Sequence, residues 1–208
     1  MTEVTVIGLP QSNFVWAVRI ALAEKGVAHT VIPAPPHSPE ARAVHPLGKI
    51  PVLRHGEVAI AESRAIIDYI DETFAGPRLA PQDRAGRIAS GMWTSIVTTS
   101  VEPLLIRQFV FAHMFPGTPD NQPDPARINA LVPEVAKMLD VLEAVLTAGH
   151  IGGETFDRVD AYLVPILFYG RNTPAGADLI GARPHVSAYL GRHLARNSVA
   201  STMPGAVT

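Results

Sequence analysis

The chain of 208 residues contains no cysteine. That excludes a disulfide framework, a thiolate metal site, a CxxC redox centre and any cysteine nucleophile, so whatever chemistry occurs here uses no thiol of the protein's own. Positive charge is not in excess either. The 17 Lys and Arg face 19 Asp and Glu, for a formal net charge of −2, which leaves nothing to neutralise a run of phosphates and argues against nucleic acid as a partner. No apolar run reaches the ~20 residues that span a bilayer. The opening MTEVTVIGLP lacks the basic patch and apolar stretch of a secretory signal. These absences make a cytoplasmic protein without a membrane partner the expectation. Charged residues are scarce, 17% against 47% hydrophobic, too few for a disordered tail. The length suffices for one large domain or two small ones.

The first third alternates short β-type and helix-type runs. Val4, Val6 and Ile7 read as a strand ended by Gly8-Leu9-Pro10. From Asn13 to Glu24, Phe14, Val15, Val18, Ala21 and Leu22 fall at helical spacing, and Gly26 stands where a helix stops. His29–Ile32 is expected as a second strand, Ser38–Val44 as a short helix or turn, Ile50–Leu53 as a third strand and Val58–Ile60 as a fourth, with His55-Gly56 as the hairpin turn. Ile66, Ile67, Ile70 and Phe74 then mark one helical face that ends near Gly76-Pro77.

After that point the pattern is helical alone. Ile88, Met92, Trp93, Ile96, Val97, Val101, Leu104 and Leu105 form rows in one long segment. Ile128, Leu131, Val132, Val135, Met138, Leu139, Leu142, Val145 and Leu146 form the cleanest stripe. Between them, the residues from Pro116 to Pro123 are rich in breakers and are expected to form an exposed loop. The sequence predicts an α/β domain over 1–76, a linker over 77–84 and an all-helical domain over 85–208.

Four local features carry chemistry, and each also has a plain structural reading. Ser12 opens the first helix, where it serves as an N-cap or, with the unpaired N–H groups and dipole of the helix start, helps to bind an anion. Gly48-Lys49-Ile50-Pro51-Val52-Leu53 brings a proline into an apolar strand, a placement that favours an edge, a bulge or a cis peptide. Glu62-Ser63 precedes the helix of Ile66, Ile67 and Ile70 and offers a carboxylate, a hydroxyl and free N–H groups, or merely a cap. Phe156-Asp157-Arg158-Val159-Asp160 reads as a structural capping box for a helix through Tyr162, Leu163, Ile166 and Leu167.

In this order, the four features resemble the cytosolic glutathione transferases, and most closely the serine-type phi and theta classes and their bacterial relatives, whose ends resemble Arg196-Asn197-Ser198. The resemblance spans nearly the whole chain. It implies a thioredoxin-like N-terminal domain followed by a C-terminal helix bundle, and a homodimer that adds the thiolate of glutathione, its co-substrate, to a small hydrophobic electrophile without a metal.

The resemblance implies that Pro51 is cis, that the backbone of Ile50 pairs with the cysteinyl part of glutathione, and that Glu62 and Ser63 hold its γ-glutamyl end. It implies Ser12 as the donor to the sulfur, with Asn13 as the alternative. His37 and Lys49 stand where basic or polar groups approach the glycyl carboxylate, and a solvent-exposed loop histidine is the other reading of His37. Leu9, Met92, Ile96, Phe109, Phe111, His113 and Phe115 are candidates for the electrophile pocket or for core, and Trp16 is read as packing. Alternative readings of the same fold are a non-catalytic glutathione-binding protein and a glutathione-dependent isomerase or peroxidase.

Overall fold

The computed structural model describes residues 3–115, 118, 121–148, 151 and 155–205. It divides into two compact units, Met1–Gln82 with Ala195–Thr208, and Asp83–Leu194.

In the first unit, β1 (Val4–Ile7), α1 (Asn13–Glu24), β2 (Thr30–Ile32), α2 (Pro39–Arg42), β3 (Val52–His55), β4 (Val58–Ala61) and α3 (Ser63–Thr73) follow in that order. The strands form one sheet, ordered β2-β1-β3-β4. β1 and β2 run parallel across the α1 crossover, and the other two pairs are antiparallel. This is the thioredoxin-like mixed sheet that was expected. β2 starts one residue later than expected and β4 ends one residue later, and two other boundaries shift. β3 starts at Val52 because Pro51 has no N–H to give the ladder, and the hairpin turn is Gly56-Glu57, with Gly56 at φ +59° and His55 still paired to Val58.

α1 is buried nearly all round, from Val15 through Ala17 and Ile20 to Leu22, the mark of a helix covered on more than one side. Its end is a Schellman motif. Gly26 at φ +67° lets its own N–H reach the Ala23 carbonyl (3.0 Å) and that of Val27 reach Leu22 (2.9 Å). The outer cover of α1 comes from α10 (Asn197–Ala200) and the turn after it. The buried indole Nε1 of Trp16 donates to Thr202 Oγ1 at 3.0 Å. Arg196 grips the Glu24 carboxylate through Nε (2.5 Å) and Nη2 (2.8 Å), and Ser198 Oγ bonds the same carboxylate. The helical domain expected over 85–208 therefore gives up its last residues to the first unit, where they bond a buried tryptophan and a carboxylate of α1.

Gly8, directly after β1, sits at φ +153°, and a Cβ there would lie 2.5 Å from Val15 Cγ2 and 3.2 Å from Ile50 Cβ. Gly8→Ala is expected to cost about 1–3 kcal/mol through forced displacement of packed neighbours, measurable as a lower midpoint in urea with an unchanged slope.

In the second unit, α4 (Arg84–Ile96), capped by Asp83, runs through π-helical turns over Val97–Val101 and Pro103–Val110 into α5 (Phe111–Met114). The long segment is one rod, but its register loosens around Pro103, which lacks an N–H for the ladder. α6 (Pro125–Val145), α7 (Arg158–Arg171), α8 (Pro174–Gly181) and α9 (Pro184–Leu194) complete the all-α bundle. The stripe read on α6 buries Ile128, Val135, Leu139 and Leu142. The outward Asp140 and Glu143 fasten the start of α9, where Glu143 accepts from the N–H groups of His185 (3.0 Å) and Val186 (2.9 Å), and Asp140 pairs with Arg183 at 2.7 Å. The capping box at Asp157 and Asp160 is present. Of the expected loop, Thr118 bonds the Gln122 carbonyl at 2.6 Å, while Pro116, Gly117, Pro119 and Asp120 lie outside the described residues. None of the described helices is long and apolar enough to cross a membrane.

Candidate functional site

The strand register gathers the chemistry-bearing loops at one end of the sheet. Ile7 pairs with Ile32 on one side and Val52 on the other, and Val52 pairs with Ala61. These four residues form a row across all the strands. The segments leaving that row are 8–12, 33–38, 48–51 and 62–63, which carry Ser12, His37, Lys49-Ile50-Pro51 and Glu62-Ser63. Ile7, Ala34 and Val52, with Val44 and Ala61 against them, form the apolar base beneath these loops.

Ser12 is the N-cap of α1, and its Oγ accepts from the Val15 N–H at 3.4 Å. A hydroxyl has two acceptor lone pairs and one donor hydrogen, so this cap leaves the O–H available at a helix N-terminus. Asn13, the other sulfur candidate, is buried, whereas Ser12 is half-exposed. The Ile50-Pro51 peptide is cis, as the resemblance implied. Ile50 is half-buried and lies outside the β3 ladder.

His37 and Lys49 are both exposed. His37 stands at φ +67° and its N–H donates to the Gly48 carbonyl at 2.6 Å, while its own carbonyl accepts from Arg42 Nε at 3.0 Å. Gly48 makes this approach possible. At φ +63° it needs a glycine, and a Cβ there would lie 3.0 Å from His37 Nδ1 and 3.1 Å from His37 Cα. Glu62 is likewise left-handed, at φ +68°, immediately before α3, and Ser63 is the first residue of that helix.

One residue that the sequence reading left out holds this end together. His45, three residues past α2 and nearly fully buried, places Nε2 2.9 Å from Glu62 Oε1, and its Nδ1 accepts from the Leu47 N–H at 3.0 Å. Its role depends on a partner 17 residues on, which no local signal in the sequence announces.

The apolar pocket candidates divide between the units. Leu9 belongs to the first. In the second, Phe109 is fully buried with the His113 ring edge-on against it at 4.9 Å, and His113 Nδ1 bonds the Phe109 carbonyl. Fully buried, Phe109 packs as core. Ile96, Phe111 and His113 are half-buried and Phe115 is exposed. Ile88 and Met92 on α4 are 62% and 52% exposed. Among the described residues, no group of three or more His, Asp or Glu is disposed to hold a metal ion.

Comparison with known proteins agrees with this geometry. Residues 6–78 match the family model "Glutathione S-transferase, N-terminal domain", and residues 105–197 match "Glutathione S-transferase, C-terminal domain". A glutathione S-transferase of Silene vulgaris is 30% identical, with 96% of each chain covered. The crystal structure of glutathione transferase F7 from Populus trichocarpa superposes with a TM-score of 0.85 at 27% identity over 96% of this chain and 97% of that one. The theta class enzyme of Xanthomonas axonopodis pv. citri, solved with glutathione bound, gives 0.83 at 26% identity over the full length of both chains. The chain belongs to the cytosolic glutathione transferase superfamily, in which it is similar to the plant phi class.

Proposed function

We propose that the protein is a glutathione transferase, joining the thiolate of glutathione to small apolar electrophiles, with Ser12 as the donor to the sulfur. The observation that carries this reading is the row Ile32-Ile7-Val52-Ala61, which sends the capped start of α1 and the Glu62-Ser63 start of α3 out of the same end of the sheet. One helix start suits a thiolate and the other a carboxylate. Lowering a thiol from about 8.5 by about two pKa units takes roughly 2.7 kcal/mol. A hydrogen bond to a charged sulfur supplies ~1.5–3 kcal/mol, and a helix N-terminus adds ~0.3–1. Those two sources suffice without a metal or a protein base, since the nucleophile arrives with the co-substrate. Glu62 takes the γ-glutamyl ammonium, Ser63 and the first turn of α3 its carboxylate, and His37 with Lys49 the glycyl end. The apolar Ile88 and Met92 exposed on α4 support a homodimer. A thiolate brought in by cytosolic glutathione fits a cytoplasmic location.

Titration with glutathione at neutral pH, followed by ultraviolet thiolate absorbance, tests the reading. Wild type is expected to show the thiolate. Ser12→Ala is expected to lose it and to lower kcat toward an aryl halide by about 10- to 100-fold with little change in KM. An unaltered Ser12→Ala would move the role to Asn13. Binding without thiolate would make the protein a non-catalytic module, and absence of binding would end the glutathione reading.

A further inference from the structure

Glu62 is an odd carboxylate. It is the N-cap of α3, where an acidic side chain is drawn to the unpaired N–H groups of the first turn, yet it makes no cap bond. Its side chain is 65% exposed, and its Oε1 is held from outside the helix by His45 Nε2 at 2.9 Å, from a ring only 4% exposed. The ring itself is fixed. A backbone N–H can only donate, so the Leu47 N–H at 3.0 Å requires Nδ1 to be the acceptor and puts the imidazole hydrogen on Nε2, facing Glu62. The backbone around the ring is fixed as well, with the His45 N–H on the Ala41 carbonyl and the Gly48 N–H on the His45 carbonyl, each at 2.8 Å.

We propose that His45 is a positioning residue for glutathione, an inference that rests on the reading given under Proposed function. Its Nε2–H offsets the pull of α3 on the Glu62 carboxylate and holds that carboxylate away from its own helix. Glu62 thereby stays outward for the ammonium of the γ-glutamyl end, and the first-turn N–H groups of α3 stay open for the neighbouring carboxylate. Because His45 lies three residues before Gly48, the same ring ties the Ile50-Pro51 segment to the start of α3. The two halves of the recognition surface then move as one.

A double-mutant cycle on glutathione affinity, measured by calorimetry on the full chain, tests this. His45→Leu is expected to weaken the Kd for glutathione by about tenfold, the loss of one hydrogen bond to a charged group, and to raise KM with kcat held. On a Glu62→Gln background the same change is expected to cost less than about threefold, because the partner it acts through is already neutral. His45→Gln, whose side-chain N–H reaches where Nε2 lies but which gives Leu47 no acceptor, is expected to stay within about threefold of wild type. Equal losses on both backgrounds, or a His45→Gln as weak as His45→Leu, would overturn the assignment and leave His45 as a brace for its own turn. Should His45→Leu not fold, His45→Gln decides alone. Wild type that binds no glutathione would remove the reading and this inference together, whereas wild type that binds while the losses add would remove the inference only.

Discussion

Replacing Lys25 with methionine is expected to lower the melting temperature by roughly 10 °C. Lys25 is the C-cap of α1, and its ammonium lies 2.7 Å from Asp71 Oδ1 near the end of α3, with the two side chains only 1% and 5% exposed. The ammonium also donates to the Asp71 carbonyl at 3.2 Å, and the same Oδ1 accepts from the Leu79 N–H at 2.8 Å. Arg78 reaches Oδ2 at 3.4 Å from a half-exposed position. Removing one member of a buried pair strands the other, at a cost of about 3–5 kcal/mol, whereas replacing both by apolar groups can be nearly neutral. Lys25→Met leaves the Asp71 carboxylate with a half-exposed arginine at 3.4 Å and one N–H. Chemical denaturation of Lys25→Met, Asp71→Leu and the double variant checks this. The double is expected to be less destabilised than the sum of the singles, with a residual loss because Leu79 keeps a buried N–H without its acceptor. Additive losses would mean that the pair contributes no coupling.

What was legible in the sequence is what local chemistry decides. Ser12 with Gly26 bounded α1 to the residue, Asp157 with Asp160 marked the start of α7, and the short helix or turn expected over Ser38–Val44 is α2. The loops that make the candidate site are short and adjoin strands whose alternation is plain, so their order on the sheet could be expected. The parts not legible depend on partners far along the chain. Nothing near Lys25 announces Asp71, and both residue types are usually solvated. Trp16 read correctly as packing, but its bond to Thr202, 186 positions away, is what takes the last helix from the bundle to the first unit. His45 escaped notice because its role depends on Glu62, 17 residues on. Phe109 was open between pocket wall and core because an apolar side chain suits either, and only its full burial separates the two.

At the start of α7, burial sets the response to pH. Asp160 is fully buried, and its Oδ2 accepts from the Asp157 N–H at 2.9 Å while Oδ1 accepts from the Tyr189 hydroxyl at 2.6 Å. Loss of hydration, and secondarily the charge of Asp157, push its pKa from 3.8 up to about 7, against the opposing pull of the Tyr189 hydroxyl, the Asp157 N–H and Arg192. His193 Nε2 stands 3.9 Å from Oδ1. Burial likewise raises the Asp157 carboxyl and the Tyr189 phenol. A group whose pKa is higher in the folded state than in the unfolded chain holds its proton better when folded. Its contribution to stability is complete below about pH 4 and is lost as pH rises to about 7. Asp160→Asn keeps an acceptor for the Asp157 N–H but cannot titrate. The stability of wild type relative to Asp160→Asn is therefore expected to fall by a few kcal/mol between pH 4 and 7, measured by urea denaturation of both proteins at each pH, so that the titration of carboxylates not coupled to Asp160 cancels in the difference. A difference that stays flat over that range would mean that the Tyr189 and Asp157 hydrogen bonds outweigh burial and hold the carboxylate ionised, its response to pH then lying below about pH 4.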